Sequence, residues 1–153
     1  MATRTRAQLK ASAGELVDVG GYRLYLSIKG PADDALQDAP TVVMDTGLAH
    51  VSAVWGFVQP EVAAFARVCV FDRAGYGWSD RGPLPRSGER IVAELRAALQ
   101  AASLAPPYTL VGHSFGGLDM LRYAITYPGE VAALVLLDAL SPTMVVDEPA
   151  NFR

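Results

Sequence analysis

Four short runs set the strongest limit on what this chain can fold into. Thr41–Met44, Val68–Phe71, Tyr108–Val111 and Leu134–Leu137 are apolar at almost every position and often β-branched. A strand with one face in water alternates apolar and polar side chains, whereas a run without alternation must be covered on both faces. The segments between the runs carry helical spacing. Ile91, Leu95, Ala98, Leu99 and Ala102 recur on one face, with Glu94, Arg96 and Gln100 off it. Phe115, Leu118, Leu121 and Ile125 repeat the pattern, and Pro128-Gly129 supplies a stop. A third helix is expected within Val58 to Ala66. Ahead of these elements, Leu16–Val19 and Arg23–Ile28 flank Gly20-Gly21 and read as an opening hairpin. Strand alternating with helix implies an α/β fold: a mostly parallel sheet with helices on both faces and reactive groups at the carboxyl ends of its strands.

Composition narrows the function classes. A chain of 153 residues is about one domain's worth, and 51% hydrophobic content argues against disorder. The net charge of −3 gives no basic excess to neutralise phosphates, so no nucleic-acid partner is expected. Cys69 is the only cysteine and, within RVCVF, reads as a small core residue. The N-terminal MATRTRAQLKASAGEL has basic residues with no apolar run behind them, unlike a secretory signal. No stretch reaches the roughly 18 apolar residues of a membrane span, and a cytoplasmic location follows by default. Nothing resembles a P-loop or dinucleotide fingerprint, and no metal cluster is evident, so neither cofactor nor metal is expected.

The chemistry concentrates in YTLVGHSFGGLDM, residues 108 to 120. Gly112-His113-Ser114-Phe115-Gly116 fits G-x-S-x-G between an expected strand and an expected helix, the setting of a nucleophile elbow. Ser114 at such a turn must occupy strained backbone. Gly112 and Gly116 remove side chains that would collide there, and Gly117 permits close approach of helix to strand. The helix N-terminus favours negative charge near the hydroxyl.

In these residues the chain resembles the α/β-hydrolase fold superfamily of serine hydrolases. VVMDTGLAHVSAVW is similar to the strand and loop that supply half of that family's oxyanion hole, RVCVFDRAGYGWSD to the end of the next strand, and VAALVLLDA to the strand after the nucleophile helix. The resemblance covers about residues 15 to 140, in family order. It implies that Ser114 is the nucleophile and that the N–H groups of Phe115 and Leu48 form the oxyanion hole. Leu48 follows Thr46-Gly47 where the family commonly has His-Gly; a backbone amide donates regardless of that side chain. It also implies a small-molecule acyl substrate (an ester, thioester or amide) and a division of the chain into an N-terminal extension over 1–14, a core over 15–140 and the start of a lid over 141–153. Members of this fold that act as dehalogenases and epoxide hydrolases usually carry aspartate at the elbow, against which Ser114 counts; haloperoxidase-type members keep the serine.

The family order is serine, acid, histidine, yet the only two histidines, His50 and His113, precede Ser114. His113 is expected to point away from the hydroxyl, into packing beside the sheet, and His50 to be a pocket or surface residue. Asp138, ending LVLLD, is a possible acid; Asp45 also ends a strand; Asp72, next to Arg73, reads as structural, a turn anchor or half of an ion pair. A sheet ending at Leu134–Leu137 would leave apolar faces and an open edge. The expectation is therefore of a fold lacking its lid and last strands in this chain, with the acid and the histidine supplied by a C-terminal segment or, as the working hypothesis, by a complementary chain. The alternative is a non-catalytic, hydrolase-like binding or regulatory half-domain. Trp55, Phe57, Tyr76, Trp78 and Phe115 read equally as an apolar acyl site or as plain core.

Overall fold

The computed structural model describes residues 14–31 and 40–141. The expected extension, apart from Gly14, and the expected lid entry, apart from Ser141, lie outside the described residues. Among the described residues six strands form one sheet: β1 (Glu15–Asp18), β2 (Arg23–Lys29), β3 (Thr41–Asp45), β4 (Val68–Asp72), β5 (Tyr108–His113) and β6 (Val131–Leu137), in the spatial order β1-β2-β4-β3-β5-β6. β1, β2 and β4 pair antiparallel; β4, β3, β5 and β6 run parallel. At the β1–β2 turn the Asp18 carboxylate accepts from the amides of Gly20 and Gly21, which closes the expected hairpin.

The central strands are buried on both faces because their side chains alternate between two apolar clusters. Val43, Cys69, Phe71 and Leu110 enter one, with Val92, Leu95 and Leu99 of α2 (Gly88–Ala101) and Met120 and Tyr123 of α3 (Phe115–Thr126). Met44, Val68, Val70 and Val111 enter the other, where Trp55 and the shorter α1 (Val58–Ala63) cover them. Each fully buried Leu, Val or Phe contributes about 1.5–3 kcal/mol, so the two clusters dominate the stability of the sheet. Cys69 is buried in the first of them, as its sequence context suggested, and burial pushes its thiol up to about 12.

Two helix faces differ from the periodic reading. α2 begins at Gly88 because the Ser87 hydroxyl accepts from the Arg90 amide, and it buries Glu94. That carboxylate accepts from Tyr22 Oη at 2.6 Å and from Arg86 at 2.6 and 2.5 Å, so a charged residue points inward because its partners are there. In α3 the buried positions are Gly116, Gly117, Asp119, Met120 and Tyr123, while Ile125 is 73% exposed. The apolar phase of Phe115, Leu118, Leu121 and Ile125 is thus not the one against the sheet. Close approach selects small residues there, which a hydrophobic periodicity cannot register.

β6 lies at the edge of the sheet, and its Val135, Leu136 and Leu137 are 41%, 46% and 42% exposed. Among the described residues nothing covers this strand as β3, β4 and β5 are covered.

Candidate active site at the β5–α3 turn

The register puts Asp45, the last residue of β3, beside Gly112 of β5, so the loop leaving β3 meets the turn between β5 and α3. Ser114 occupies that turn at φ 53°, ψ −120°. An L-residue in such a conformation costs on the order of 1–3 kcal/mol and persists only where its surroundings over-determine it. They do. The Ser114 amide donates to the Leu137 carbonyl at 3.2 Å, and its carbonyl accepts from the amides of Gly117 at 3.0 Å and Leu140 at 3.1 Å. A Cβ on Gly112 would stand 2.5 Å from Gly117 Cα, and one on Gly116 would stand 2.6 Å from the Thr46 carbonyl oxygen. The turn is therefore closed to side chains on both flanks of the serine, whose own side chain remains half-buried.

The loop after β3 lies directly over it. A Cβ on Gly47 would be 3.5 Å from Ser114 Cβ, 3.0 Å from His50 Nδ1 and 3.6 Å from His113 Nδ1. His113 thus packs against this loop and not beside the sheet, because it is the final residue of β5 and the neighbouring strand β3 has already ended. His50 is exposed, and its amide donates to the Gly47 carbonyl at 3.3 Å, closing a tight turn that carries Ala49 at φ 60°. Leu48 sits in that turn with its side chain 52% exposed, and Phe115 opens α3 half-buried. Among the described residues, no hydrogen bond joins Ser114 Oγ to either imidazole. Asp138, at φ 44° past the end of β6, is exposed.

Beneath the loop is a buried ionic cluster that sequence reasoning missed. Arg73, 4% exposed, follows β4. Its Nη1 donates to Asp45 Oδ1 at 3.0 Å and to the Thr46 carbonyl at 2.9 Å, its Nη2 donates to the Gly47 carbonyl at 2.5 Å, and Nη1 lies 3.5 Å from Asp119 Oδ2 of α3. Its guanidinium carbon stands 5.4 Å from the ring centres of both Tyr76 and Phe115, within cation–π range. Burial raises the Asp45 carboxyl, with Arg73 pulling the other way. Burial and then the neighbouring Asp45 charge push Asp119 up to about 8. The sole hint in the sequence is an aspartate among apolar residues of an expected helix. The partners themselves stand 28 and 46 positions from Arg73, beyond any local pattern.

Asp72 is a turn anchor, not half of an ion pair with Arg73. Its carboxylate accepts from the amides of Ser52 at 2.6 Å and Trp78 at 2.9 Å, which ties together the loops after β3 and β4. The aromatic residues divide likewise: Trp55 is core, Phe57 is 92% exposed, and Tyr76 and Phe115 flank Arg73. Among the described residues no group of His, Cys, Asp and Glu is arranged to hold a metal, and no helix is long and apolar enough to cross a membrane.

Comparison with known proteins agrees with this geometry. A crystal structure of Cfl2 from Burkholderia cenocepacia superposes with a TM-score of 0.77 at 29% identity, over 92% of this chain and 45% of that one. The uncharacterised protein YbdG of Bacillus subtilis is 27% identical over 140 residues, 92% of this chain and 42% of the relative. A Variovorax paradoxus protein named "Putative carbamate hydrolase RutD" is 34% identical over 125 residues, 77% of this chain and 43% of the relative. The chain thus spans less than half the length of each. In Cfl2 the matching region belongs to one longer chain, so the expectation of a separate complementary polypeptide gains no support from it. The family model for the alpha/beta hydrolase fold matches residues 40–153. With its mostly parallel sheet and its serine-bearing strand–helix turn, this chain belongs to the α/β-hydrolase fold family.

Proposed function

We propose that the chain carries the nucleophile side of a serine hydrolase acting on ester-type bonds, thioesters and amides included, through an acyl-enzyme at Ser114. In this reading Ser114 Oγ attacks the acyl carbon and a histidine takes its proton. The amides of Leu48 and Phe115 donate hydrogen bonds to the developing oxyanion, and the leaving group departs with the proton. Water then attacks the acyl carbon, yielding the acid and restoring Ser114. One such amide donor is typically worth about 10²–10³ in rate. The histidine and acid come from residues that pack against β6, whose exposed Val135, Leu136 and Leu137 favour a covering segment. The observation that carries the reading is the strained backbone of Ser114, held at φ 53° between two glycines that touch backbone.

A second reading, an idle elbow in a binding or regulatory half, is favoured by the want of a hydrogen-bonded base among the described residues. A serine with an oxyanion hole alone still retains about 10³–10⁴ of catalysis over water, so slow turnover does not separate the two. Labelling of the native protein with a fluorophosphonate does. Rapid formation of an adduct that mass spectrometry places on Ser114, absent in Ser114→Ala, supports the hydrolase. Labelling no faster than that of a free serine hydroxyl, or an adduct that survives Ser114→Ala, refutes it.

A further inference from the structure

We propose that Arg73 is a positioning residue that aims the Leu48 amide at the Ser114 side of its loop and ties that loop to the nucleophile helix. The proposal rests on the hydrolase reading, since it concerns the trap that reading assigns to Leu48 and Phe115. In a trans peptide unit the C=O and N–H point in opposite directions. The carbonyls of Thr46 and Gly47 both face the Arg73 guanidinium, at 2.9 and 2.5 Å. The amides completing those two units, on Gly47 and Leu48, therefore face away from Arg73. Gly47 is also where the loop passes over the serine, with the position of its missing Cβ 3.5 Å from Ser114 Cβ. Were the Gly47 carbonyl free to rotate, the Leu48 amide would rotate with it. A guanidinium fork buried to 4% exposure leaves no such freedom.

The same group reaches the other half of the trap. Nη1 lies 3.5 Å from Asp119, one turn along α3 from the helix start, and the guanidinium stacks 5.4 Å from the Phe115 ring. One cation thereby spans the end of β3, the loop that follows, and the first turns of α3. Its charge is balanced by one carboxylate, Asp45, while burial and that neighbouring charge favour the protonated form of Asp119. Asp45 Oδ2 is buried and receives no hydrogen bond, and the Asp45 and Asp119 side chains stand within hydrogen-bonding reach of each other. A proton on Asp119 donates to that oxygen, and the cluster then holds one cation, one anion and one neutral acid. Buried charge tolerates that sum and penalises any other. The charged groups acting on Asp119 are Asp45 from β3, Arg73 from the end of β4 and Arg122 from α3 itself. Loss of the proton sets two carboxylates against each other and draws Nη1 toward Asp119, away from the Thr46 carbonyl.

The test is the kinetics of fluorophosphonate inactivation of the native protein, resolved into a binding constant and a maximal rate across pH 6–10. Circular dichroism checks the fold of each variant. Arg73→Met is expected to lower the maximal rate by about 10²-fold with little change in the binding constant, the loss of one oxyanion donor. Arg73→Lys, keeping the charge but not the fork, is expected to recover part of that rate. In the parent the rate should fall above about pH 8, and Asp119→Asn, which cannot ionise, should abolish that fall. A folded Arg73→Met that labels within threefold of the parent overturns the proposal, as does a fall that persists in Asp119→Asn. If Arg73→Met does not fold, the other two variants decide. If the parent never labels at Ser114, it is the hydrolase reading that fails. Hydrogen exchange of the loop over residues 46–50 then decides for Arg73: faster exchange in Arg73→Lys supports it, unchanged exchange overturns it.

Discussion

Gly116→Ala sets two known effects against each other at the first turn of α3. Alanine is favoured over glycine inside a helix by about 0.8–1 kcal/mol, so propensity alone predicts stabilisation. The structure predicts the opposite. The new Cβ would stand 2.6 Å from the Thr46 carbonyl oxygen, 2.7 Å from the Asp45 carbonyl carbon and 2.9 Å from its oxygen, all of them backbone. Backbone atoms have no alternative rotamer, and the carbonyl of Thr46 is already held by Arg73. Relief requires α3 and the loop after β3 to separate by several tenths of an ångström, and overpacking of this kind costs about 1–3 kcal/mol or more. Three backbone atoms met at once place the cost at about 2–3 kcal/mol, so net destabilisation of about 1–2 kcal/mol is expected after the helical gain is subtracted, a fall in Tm of roughly 2–8 °C for a domain of this size. Gly129→Ala is the control, since a Cβ there meets nothing within 4 Å. Thermal denaturation followed by circular dichroism reads the difference. Because the strain falls on Ser114 and the Gly47 loop together, fluorophosphonate labelling should drop as well. A Gly116→Ala protein as stable as its parent, with unchanged labelling, would refute the claim that contact between elbow and loop backbones leaves no room for a methyl group.

Three further outcomes follow from buried groups. Glu94→Ala leaves Arg86 and Tyr22 without their shared acceptor; breaking a buried pair costs about 3–5 kcal/mol, and with Arg86 24% exposed a loss of about 2–3 kcal/mol is expected in urea denaturation. Glu94→Gln should lose less. The raised Asp119 carboxyl makes the folded state hold a proton that the unfolded chain releases near pH 3.9. Its contribution to stability therefore falls as pH rises between about 4 and about 8, by at most about 1.4 kcal/mol per unit, and levels off above that. Tm measured from pH 5 to 9 should show this decline in the parent and a shallower one in Asp119→Asn; parallel curves would refute it. Cys69, whose thiol is pushed up by burial, should resist iodoacetamide at pH 8 in the native protein and react once denatured. Reaction at the native state's rate of an exposed thiol would show that the β4 core opens.

The fold was legible because its signal is local. Unbroken apolar runs such as Val68–Phe71 have one economical use, a strand covered on both faces, and the structure extends that run only by Asp72. The strand–serine–helix succession was legible for the same reason: G-x-S-x-G needs glycines where a Cβ would meet backbone, and Gly112 and Gly116 meet it at 2.5 and 2.6 Å. Helix phase was less legible. Glu94 and Asp119 are charged residues turned inward, Ile125 an apolar one turned outward, and a periodicity in hydrophobicity assigns all three to the wrong side. The surroundings of His113 are set by register and not by residue type: β3 ends opposite Gly112, which leaves the loop after β3 beside His113 while β6 still pairs with it on the other side.

Sequence alone was enough to determine the α/β class, the family resemblance and the serine at its turn. Each is assembled from local signals (strand runs, helix faces and a motif that lie within about a dozen positions apiece) and rests on sterics that hold in any surroundings. Tertiary structure alone decided what steadies that turn. Asp45, Arg73 and Asp119 become partners only when β3, β4 and α3 converge, because a buried charge is tolerated only where folding brings its counter-charge within hydrogen-bonding reach.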